Sequence, residues 1–213
     1  MSEILKTDRL YRVEAKDIDK LNKLLTECFE NDPLYVSLIP RTEIRKKLLP
    51  EIMHCDLDEL FDTCTIYADS PEINGIIIVS DETEPYSPFR YYWNTFLYTV
   101  KTMARVIARD PSLKTCKNFV AGRDYLNSSW TGELTENRLH VAYFAVSPQM
   151  RGCGIASKLM KEVKRYARRK KLLVSLETHS SKNVSIYKHY GFRMFRILHD
   201  RPQLKQFCMV LPA

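Results

Sequence analysis

The sequence predicts an α+β fold: a mixed but mainly antiparallel sheet of about seven strands flanked by helices, with a helical insertion at about 81–136. Three observations predict it. Strand-length apolar stretches come in adjacent pairs, 63–68 with 73–79 and 192–198 with 204–211. Between those pairs lies one strand–helix–strand unit over 138–178, the kind of crossover that joins parallel strands. Helical patterns over 18–29 and 42–60 precede the first pair. The chain has 213 residues, 45% of them apolar, which suits a single domain carrying an insertion and a sizeable core.

Residues 9–15 alternate Leu10, Arg12 and Glu14 against Tyr11 and Val13, as a first strand does. Asp17 stands at a cap position, and Ile18, Leu21, Leu24, Leu25 and Phe29 recur at helical spacing after it. Asn31-Asp32-Pro33 ends that helix, because the residue before a proline is driven out of the α region. In the second helix, over 42–60, Pro50 either interrupts the run or starts its second half. The strands 63–68 and 73–79 are joined by the turn 69–72, and Ile76-Ile77-Ile78-Val79 is apolar and β-branched enough for the middle of a sheet. Residues 81–88 are polar with two prolines, 89–109 is aromatic-rich with helical spacing, and Asp110-Pro111-Ser112 starts a further short helix running to about 126.

The strand 138–146 is stopped by Ser147-Pro148, since proline cannot extend a ladder. A long helix over 152–171 follows, its apolar stripe being Ile155, Leu159, Val163, Tyr166 and Ala167. After the strand 172–178 a short helix over 181–190 is closed by Gly191, a left-handed cap. The final antiparallel pair completes the sheet.

The net charge is +7, and its location is informative: nine basic residues and one acid between 151 and 171 make that segment +8. One helix thus carries the whole excess. A solvated face, nucleic acid or an anionic cofactor could each use it, but no interleaving of aromatic and basic residues on a sheet supports a nucleic-acid partner. The six cysteines form no close pair, which points to free thiols in a reducing, cytoplasmic setting rather than to a metal cluster or disulfide scaffold. No stretch reaches the roughly 18 apolar residues of a membrane span, and the first residues hold no apolar secretory segment. A homodimer is compatible with the sequence.

Gly152 and Gly154 are two of only six glycines and fall at a strand-to-helix junction. A helix start has unpaired N–H groups and partial positive charge, and glycine lets several of them converge on a diphosphate. Arg151 adds charge there, and the Ser157 hydroxyl can donate. A tight turn that binds nothing is the plainer alternative. A Walker loop is absent, and position 157 is Ser where a dinucleotide fold needs its third glycine.

Val146-Ser147-Pro148-Gln149-Met150-Arg151-Gly152-Cys153-Gly154-Ile155-Ala156 resembles the acetyl-CoA signature of the GNAT superfamily of N-acetyltransferases, Gln/Arg-x-x-Gly-x-Gly/Ala after a strand ending in Val-x-Pro. Leu176-Glu177-Thr178 and the run from Asn183 through Tyr187 to Gly191-Phe192 resemble that family's Asn-x-x-x-Tyr-x-x-x-Gly-Phe segment. The two likenesses span about 140–192 in register with the strand–helix–strand–helix order. A narrower likeness, in Glu27-Cys28-Phe29-Glu30-Asn31-Asp32-Pro33-Leu34-Tyr35, is to the puromycin N-acetyltransferase-like branch.

The resemblance implies acetyl transfer from acetyl-CoA to a primary amine of a small molecule, by direct attack in a ternary complex. It implies that main-chain groups of Phe144, Ala145 and Val146 bind the pantetheine arm and the thioester. Gln149, Arg151, Gly152, Cys153, Gly154, Ile155, Ala156 and Ser157 would hold the diphosphate, and Asn183 would contact the pantetheine. Tyr187, one helical turn on from Asn183, would be the general acid, a phenol facing a departing thiolate. For the base two candidates stand, His140 and Glu177. His140 shares parity with Phe144 along a regular strand; Asp32 or Glu30 would attract a cationic amine; His179 and His189 read as loop and helix-surface residues. The Tyr91, Tyr92, Trp93, Phe96 and Tyr98 cluster is either core or the roof of an acceptor groove. The competing readings are a GNAT enzyme acting on a protein or peptide amine, a nucleic-acid-binding module using the basic helix, and a family member that binds acyl-CoA without turnover.

Overall fold

The structure, a computed structural model, describes residues 5, 9–84, 88–110, 113–122, 125, 126, 128–201 and 204–213, with the main chain only for 88–96, 200 and 201. The strands are β1 (Tyr11–Arg12), β2 (Thr65–Ala68), β3 (Gly75–Asp81), β4 (Arg138–Val146), β5 (Leu173–Thr178), β6 (Arg193–Arg201) and β7 (Leu204–Leu211). The helices are α1 (Ile18–Phe29), α2 (Pro33–Leu38), α3 (Thr42–Thr63), α4 (Pro88–Arg109), α5 (Lys114–Gly122), α6 (Ile155–Lys170) and α7 (Ser181–His189). The strands form one seven-stranded sheet in the order β1-β2-β3-β4-β5-β7-β6. Every neighbouring pair is antiparallel except β4 with β5, which the α6 crossover makes parallel. The expected α+β class and mixed sheet are what the structure has, and helices α4 and α5 stand between β3 and β4 as the insertion.

Both faces of the sheet are covered, which explains why β3 is apolar at consecutive positions. Ile76 and Ile78 point into a core made with α1 and α3, including Leu21, Leu25, Leu48 and Ile52. Ile77 and Val79 point into a second core with α6, including Leu159 and Val163. At Gly75 a Cβ would lie 2.4 Å from Ile155 Cγ2, so only glycine lets β3 come this close to the start of α6.

Several bounds differ from the sequence reading. The first strand is only two residues long, although Val13 N–H still bonds Ile66 O at 3.0 Å. Asp17 is the N-cap residue of α1 as expected, but its side chain makes no capping bond to that helix; its carboxylate accepts from Glu14 N and from the Tyr11 hydroxyl. Asn31-Asp32-Pro33 does more than end α1. Asp32 accepts from Leu34 N at 2.9 Å and starts α2, six residues too short to leave a periodic signal. Pro50 lies inside a continuous α3. The residues around it, Leu48, Leu49, Ile52 and Met53, are buried. Each such side chain contributes about 1.5–3 kcal/mol, which together outweighs the roughly 3 kcal/mol cost of an interior proline. Of the expected Asp110-Pro111-Ser112 helix start, Pro111 and Ser112 lie outside the described residues, and α5 begins at Lys114. The long basic helix begins at Ile155 rather than at Gly152.

The departure that matters most is a β-bulge. In the β3–β4 register Ile78 opposes Tyr143 and Val79 opposes Val141, which leaves Ala142 as an extra residue. The bulge reverses the alternation. Leu139, Val141 and Phe144 face the α6 side, whereas Tyr143 and Ala145 face the α1 and α3 side. His140 therefore does not share the face of Phe144, contrary to the parity of a regular strand. All six cysteines are free. No helix among the described residues is long and apolar enough to cross a membrane.

Candidate active site

The centre of the site is a place where two parallel strands separate. Pairing of β4 with β5 runs from Arg138 with Leu173 to Val141 with Leu176 and stops at the bulge. Beyond it β5 continues to Thr178 against β7, while β4 continues to Val146 against β3. Main chain at Phe144, Ala145 and Val146 thus borders an unpaired wedge. Among the described residues one side chain bonds to this stretch: the Cys28 thiol donates to Val146 O at 3.4 Å. Burial pushes the Cys28 thiol up to about 11, against the opposing charge of Arg151.

The wedge opens onto the turn before α6. Ser147 N–H is tied to Asn74 O at 2.8 Å, Met150 N–H closes a turn on Ser147 O at 2.9 Å, and the first helical bond is Lys158 N–H to Gly154 O at 3.0 Å. Gly152 and Gly154 take φ of +83° and +79°, the left-handed region that glycine enters freely, and a Cβ on either would meet nothing within 4 Å. Among the described residues the main-chain N–H groups of Arg151, Gly152, Gly154, Ile155, Ala156 and Ser157 have no main-chain acceptor. The exception in the run is Cys153, whose N–H makes a long bond of 3.4 Å to Met150 O. The Gln149 side chain braces the turn, donating to Glu27 on α1 at 2.7 Å and accepting from Ser147. The result is a concave set of donors at a helix start, open to solvent and beside a cationic Arg151, which suits a diphosphate.

From this turn a groove of about 340 Å³ follows α6, lined by Ser157, Lys161, Lys164, Arg165, Arg168 and Tyr190. The basic face expected from the sequence is thus a lined groove. Lys164 donates to Tyr190 O at 2.9 Å, and Arg165 pairs with the buried Glu162.

Opposite the wedge stands α7. The sheet-facing Tyr187 is buried, its ring 6.4 Å from Phe144 and 5.8 Å from Phe192 between centroids. Among the described residues no hydrogen bond engages its hydroxyl. Burial, then the charges of Asp32 and Glu177, raise its pKa, so the phenol keeps its proton at neutral pH. Asn183 donates to Thr178 Oγ1 at 3.2 Å, holding the first turn of α7 against the end of β5. Gly191 (φ +98°) closes α7: its N–H bonds Lys188 O and the Phe192 N–H bonds Tyr187 O, a Schellman pair.

The third wall is the α1–α2 corner. Asp32 is half-buried, its carboxylate accepts from Leu34 N, and burial raises it to about 6. The buried Arg45 holds this corner, its Nε donating to Glu30 O at 2.7 Å and its Nη1 to Ile39 O at 2.8 Å.

His140 and Glu177, the two expected bases, form one network. The Ser128 hydroxyl lies 2.9 Å from His140 Nε2 and donates to Glu177 Oε1 at 2.7 Å. Trp130 Nε1 donates to Glu177 Oε2 at 3.0 Å, and His140 Nδ1 lies 2.9 Å from the Ser175 hydroxyl. Both imidazole nitrogens and both carboxylate oxygens are therefore engaged by protein. Burial works to raise Glu177, but the neighbouring His140 and the hydrogen bonds from Ser128 and Trp130 outweigh it and hold the carboxylate below its usual range. Ser128 and Trp130 were not legible as site residues, because nothing local marks a short 3₁₀ segment that pairs with residues 49 and 47 positions away.

His179 lies in the loop between β5 and α7, as expected, but it does not project freely into solvent. It is half-buried beside Tyr125, its Nε2 is buried without a partner, and burial holds its pKa down at about 4. His189 is exposed on α7, as expected. Of the aromatic cluster, the side chains of Tyr91, Tyr92, Trp93 and Phe96 lie outside the described residues. Tyr98 donates to Asp62 on α3 at 2.9 Å, a helix-packing contact.

The profile of the acetyltransferase (GNAT) domain matches residues 117–194, which contain β4, the glycine turn, α6, β5 and α7. Solved structures share the fold over nearly the whole chain. "Histone acetyltransferase HPA2 and related acetyltransferase" from Corynebacterium glutamicum is 18% identical with a TM-score of 0.61, covering 96% of each chain. Arylalkylamine N-acetyltransferase 2 from Aedes aegypti is 13% identical with a TM-score of 0.53, covering 96% of this chain and 98% of its own. A polyamine N-acetyltransferase from Drosophila melanogaster, an enzyme that forms N-acetylagmatine, is 19% identical with a TM-score of 0.50, covering 96% and 99%. No curated protein matches the chain by sequence. Residues 117–194 are thus similar to a GNAT acetyltransferase domain, and the whole chain has the fold of these solved acetyltransferases. The narrower likeness to the puromycin branch has no counterpart among these matches.

Proposed function

We propose that the protein transfers an acetyl group from acetyl-CoA to the primary amine of a small molecule, by direct attack in a ternary complex. The observation that carries this reading is a juxtaposition. A cradle of unengaged main-chain donors between Arg151 and Ser157 opens into a strand wedge that leads to Asp32 and Tyr187. Acetyl-CoA supplies the thioester, and GNAT acetyltransferases use it.

The donors at the start of α6, with Arg151, hold the diphosphate, and the basic groove along α6 takes the remainder of the nucleotide. Main chain of Phe144 to Val146 completes the missing strand pairing with the pantetheine arm and polarises the thioester oxygen. Asp32 receives the proton of the attacking amine. A carboxyl raised to about 6 is largely ionised at neutral pH yet basic enough to matter. The amine nitrogen bonds to the carbonyl carbon, the C–S bond breaks, and Tyr187 gives its proton to the departing sulfur. His140, Glu177, Ser128 and Trp130 fix the end of β5 and the segment before β4, and so shape the acceptor side of the wedge. The small-amine substrates in the names of the Aedes and Drosophila enzymes support this acceptor class.

The test is an amine panel assayed with acetyl-CoA by release of free thiol. Turnover of at least one small amine, abolished by a bulky residue at Gly152 or Gly154, is the expected result. Failure of acetyl-CoA to bind in a calorimetric titration overturns the reading.

A further inference from the structure

The acceptor side of the wedge holds a group that the proposed chemistry leaves unused. The Asp56 side chain on α3 accepts from the Tyr143 hydroxyl at 2.9 Å, and the Tyr143 hydroxyl lies 3.3 Å from that of Tyr35. Phe29 closes the same wall, its ring edge-on to Tyr143 at 5.4 Å and to Tyr35 at 6.3 Å. These rings come from α1, α2 and β4 and meet on the face to which the bulge at Ala142 turns Tyr143.

Two carboxyl groups flank this aromatic wall, Asp32 at the α2 start and Asp56 on α3, and Tyr35 feels the charge of both. Neither has a cationic partner among the described residues. The ion pairs of α3 use Glu51 with Arg109 and Asp58 with Lys101, on the side facing α4, and leave Asp56 out. In a chain with a net charge of +7, two enclosed acids without a lysine or arginine are out of keeping with how buried charge is managed. Among the described residues no cation figures in the shift of either acid, and both are raised by burial, Asp32 to about 6 and Asp56 to about 7. Aromatic faces beside a carboxylate are a favourable environment for an organic cation.

We propose that Asp56, with Tyr143, Tyr35 and Phe29, is a second cation site of the acceptor cleft, and that the acceptor is a dication: a primary amine joined by a short chain to a second ammonium or guanidinium group. This rests on the acetyltransferase reading above. The reacting amine sits at Asp32, and the second charge sits at Asp56. Tyr35 feels the charge of both acids, so the two lie near one ring and a short linker can span them. One consequence follows from charge alone. Acetylation of one amine leaves a monocation whose remaining amine must occupy Asp32 while a neutral acetamide faces Asp56, so the reaction stops after one acetyl group.

The test compares a straight-chain diamine, an amino-guanidine of similar length and a monoamine of the same length, with the full-length protein and acetyl-CoA. The expected result is a diamine-to-monoamine preference in kcat/KM of at least tenfold, with a mono-acetylated product by mass spectrometry. In Asp56→Asn that preference collapses at least tenfold, the loss falling on KM for the diamine rather than on kcat, and Asp56→Glu restores part of it. A purely structural Asp56 would instead lower the melting temperature and slow all acceptors alike, and that outcome overturns the proposal, as does a wild-type enzyme without diamine preference. If acetyl-CoA binds but no amine is acetylated, calorimetric titration of the diamine into wild type and Asp56→Asn decides: equal binding overturns the second site, binding confined to wild type supports it. Loss of acetyl-CoA binding sinks the parent reading alone, and the same titration still answers for Asp56.

Discussion

Replacing Gly154 by alanine separates the structural use of that glycine from its use as a ligand cradle. Gly154 takes φ +79° and ψ 0° as the cap of α6, and an added Cβ meets nothing within 4 Å. The folded state therefore loses only the backbone strain of an L-residue in the left-handed region, about 1–2 kcal/mol. For a chain of this size that lowers Tm by roughly 2–8 °C. The new methyl group enters the open space where the N–H groups of Gly152, Gly154, Ile155 and Ala156 are unengaged. If it keeps a diphosphate from two of those donors, each worth about 1.5–3 kcal/mol to a charged group, affinity falls roughly 10²- to 10⁴-fold. Isothermal titration with acetyl-CoA and differential scanning fluorimetry read the two effects separately. Gly75→Ala is the contrasting control, because its Cβ would collide with Ile155 Cγ2 at 2.4 Å and destabilise the core by overpacking. An acetyl-CoA affinity in Gly154→Ala within threefold of wild type, alongside the expected fall in Tm, would refute the cradle.

Four further outcomes are expected. The kcat/KM of the wild type rises with pH through about 6 as Asp32 loses its proton; in Asp32→Asn that limb disappears from the pH–rate profile, and the rate falls about 10²- to 10⁴-fold. In Tyr187→Phe, kcat falls about tenfold or more while the acetyl-CoA dissociation constant measured by calorimetry holds. Arg45→Met leaves Glu30 O and Ile39 O without their donor; it destabilises the fold by about 2–4 kcal/mol in urea unfolding, and the loosened α1–α2 corner raises KM for the acceptor. His179 is held at about 4 in the fold against 6.5 for an ordinary histidine, so the folded chain binds fewer protons between those values. Its contribution to stability is complete above pH 6.5 and is lost as pH falls towards 4, by up to about 3 kcal/mol. In His179→Gln thermal melts from pH 7 to pH 4.5 are less steep, and an unchanged slope rules out His179 as its source.

How much of the site is legible in the sequence depends on how local each part is. The glycine turn was readable because two glycines between a stopped strand and an amphipathic helix describe a backbone path, and both take positive φ. Helix α1 and strand β4 have the bounds expected, since each carries an uninterrupted period and a clear stop. The Gly191 cap followed from the same kind of signal. Helix α2 was missed because six residues hold too few turns for a period, and its Asp-Pro start also reads as a helix end. The bulge at Ala142 was missed because the sequence of β4 alternates plausibly in either register; only its pairing with β3 selects one. That single residue turned His140 away from the face of Phe144 and brought Tyr143 to the acceptor wall.

The sequence by itself determined the class of fold, the glycine turn before α6 and the helix that carries Tyr187, because each is set by residues within a turn or two of one another. Tertiary structure alone decided the partners of the titratable groups. Asp32, Asp56, Tyr143, Glu177 and Tyr187 come from five different elements, and whether each is charged, engaged or waiting for a ligand depends on which neighbours packing delivers. Glu177 read as a candidate base until Ser128, Trp130 and His140 were found around it, and Asp32 read as an attractor of a cationic amine, which burial leaves without a cation among the described residues. Ionisation responds to the dielectric and the charges within a few ångströms in space, and that environment is written in the chain only after it has folded.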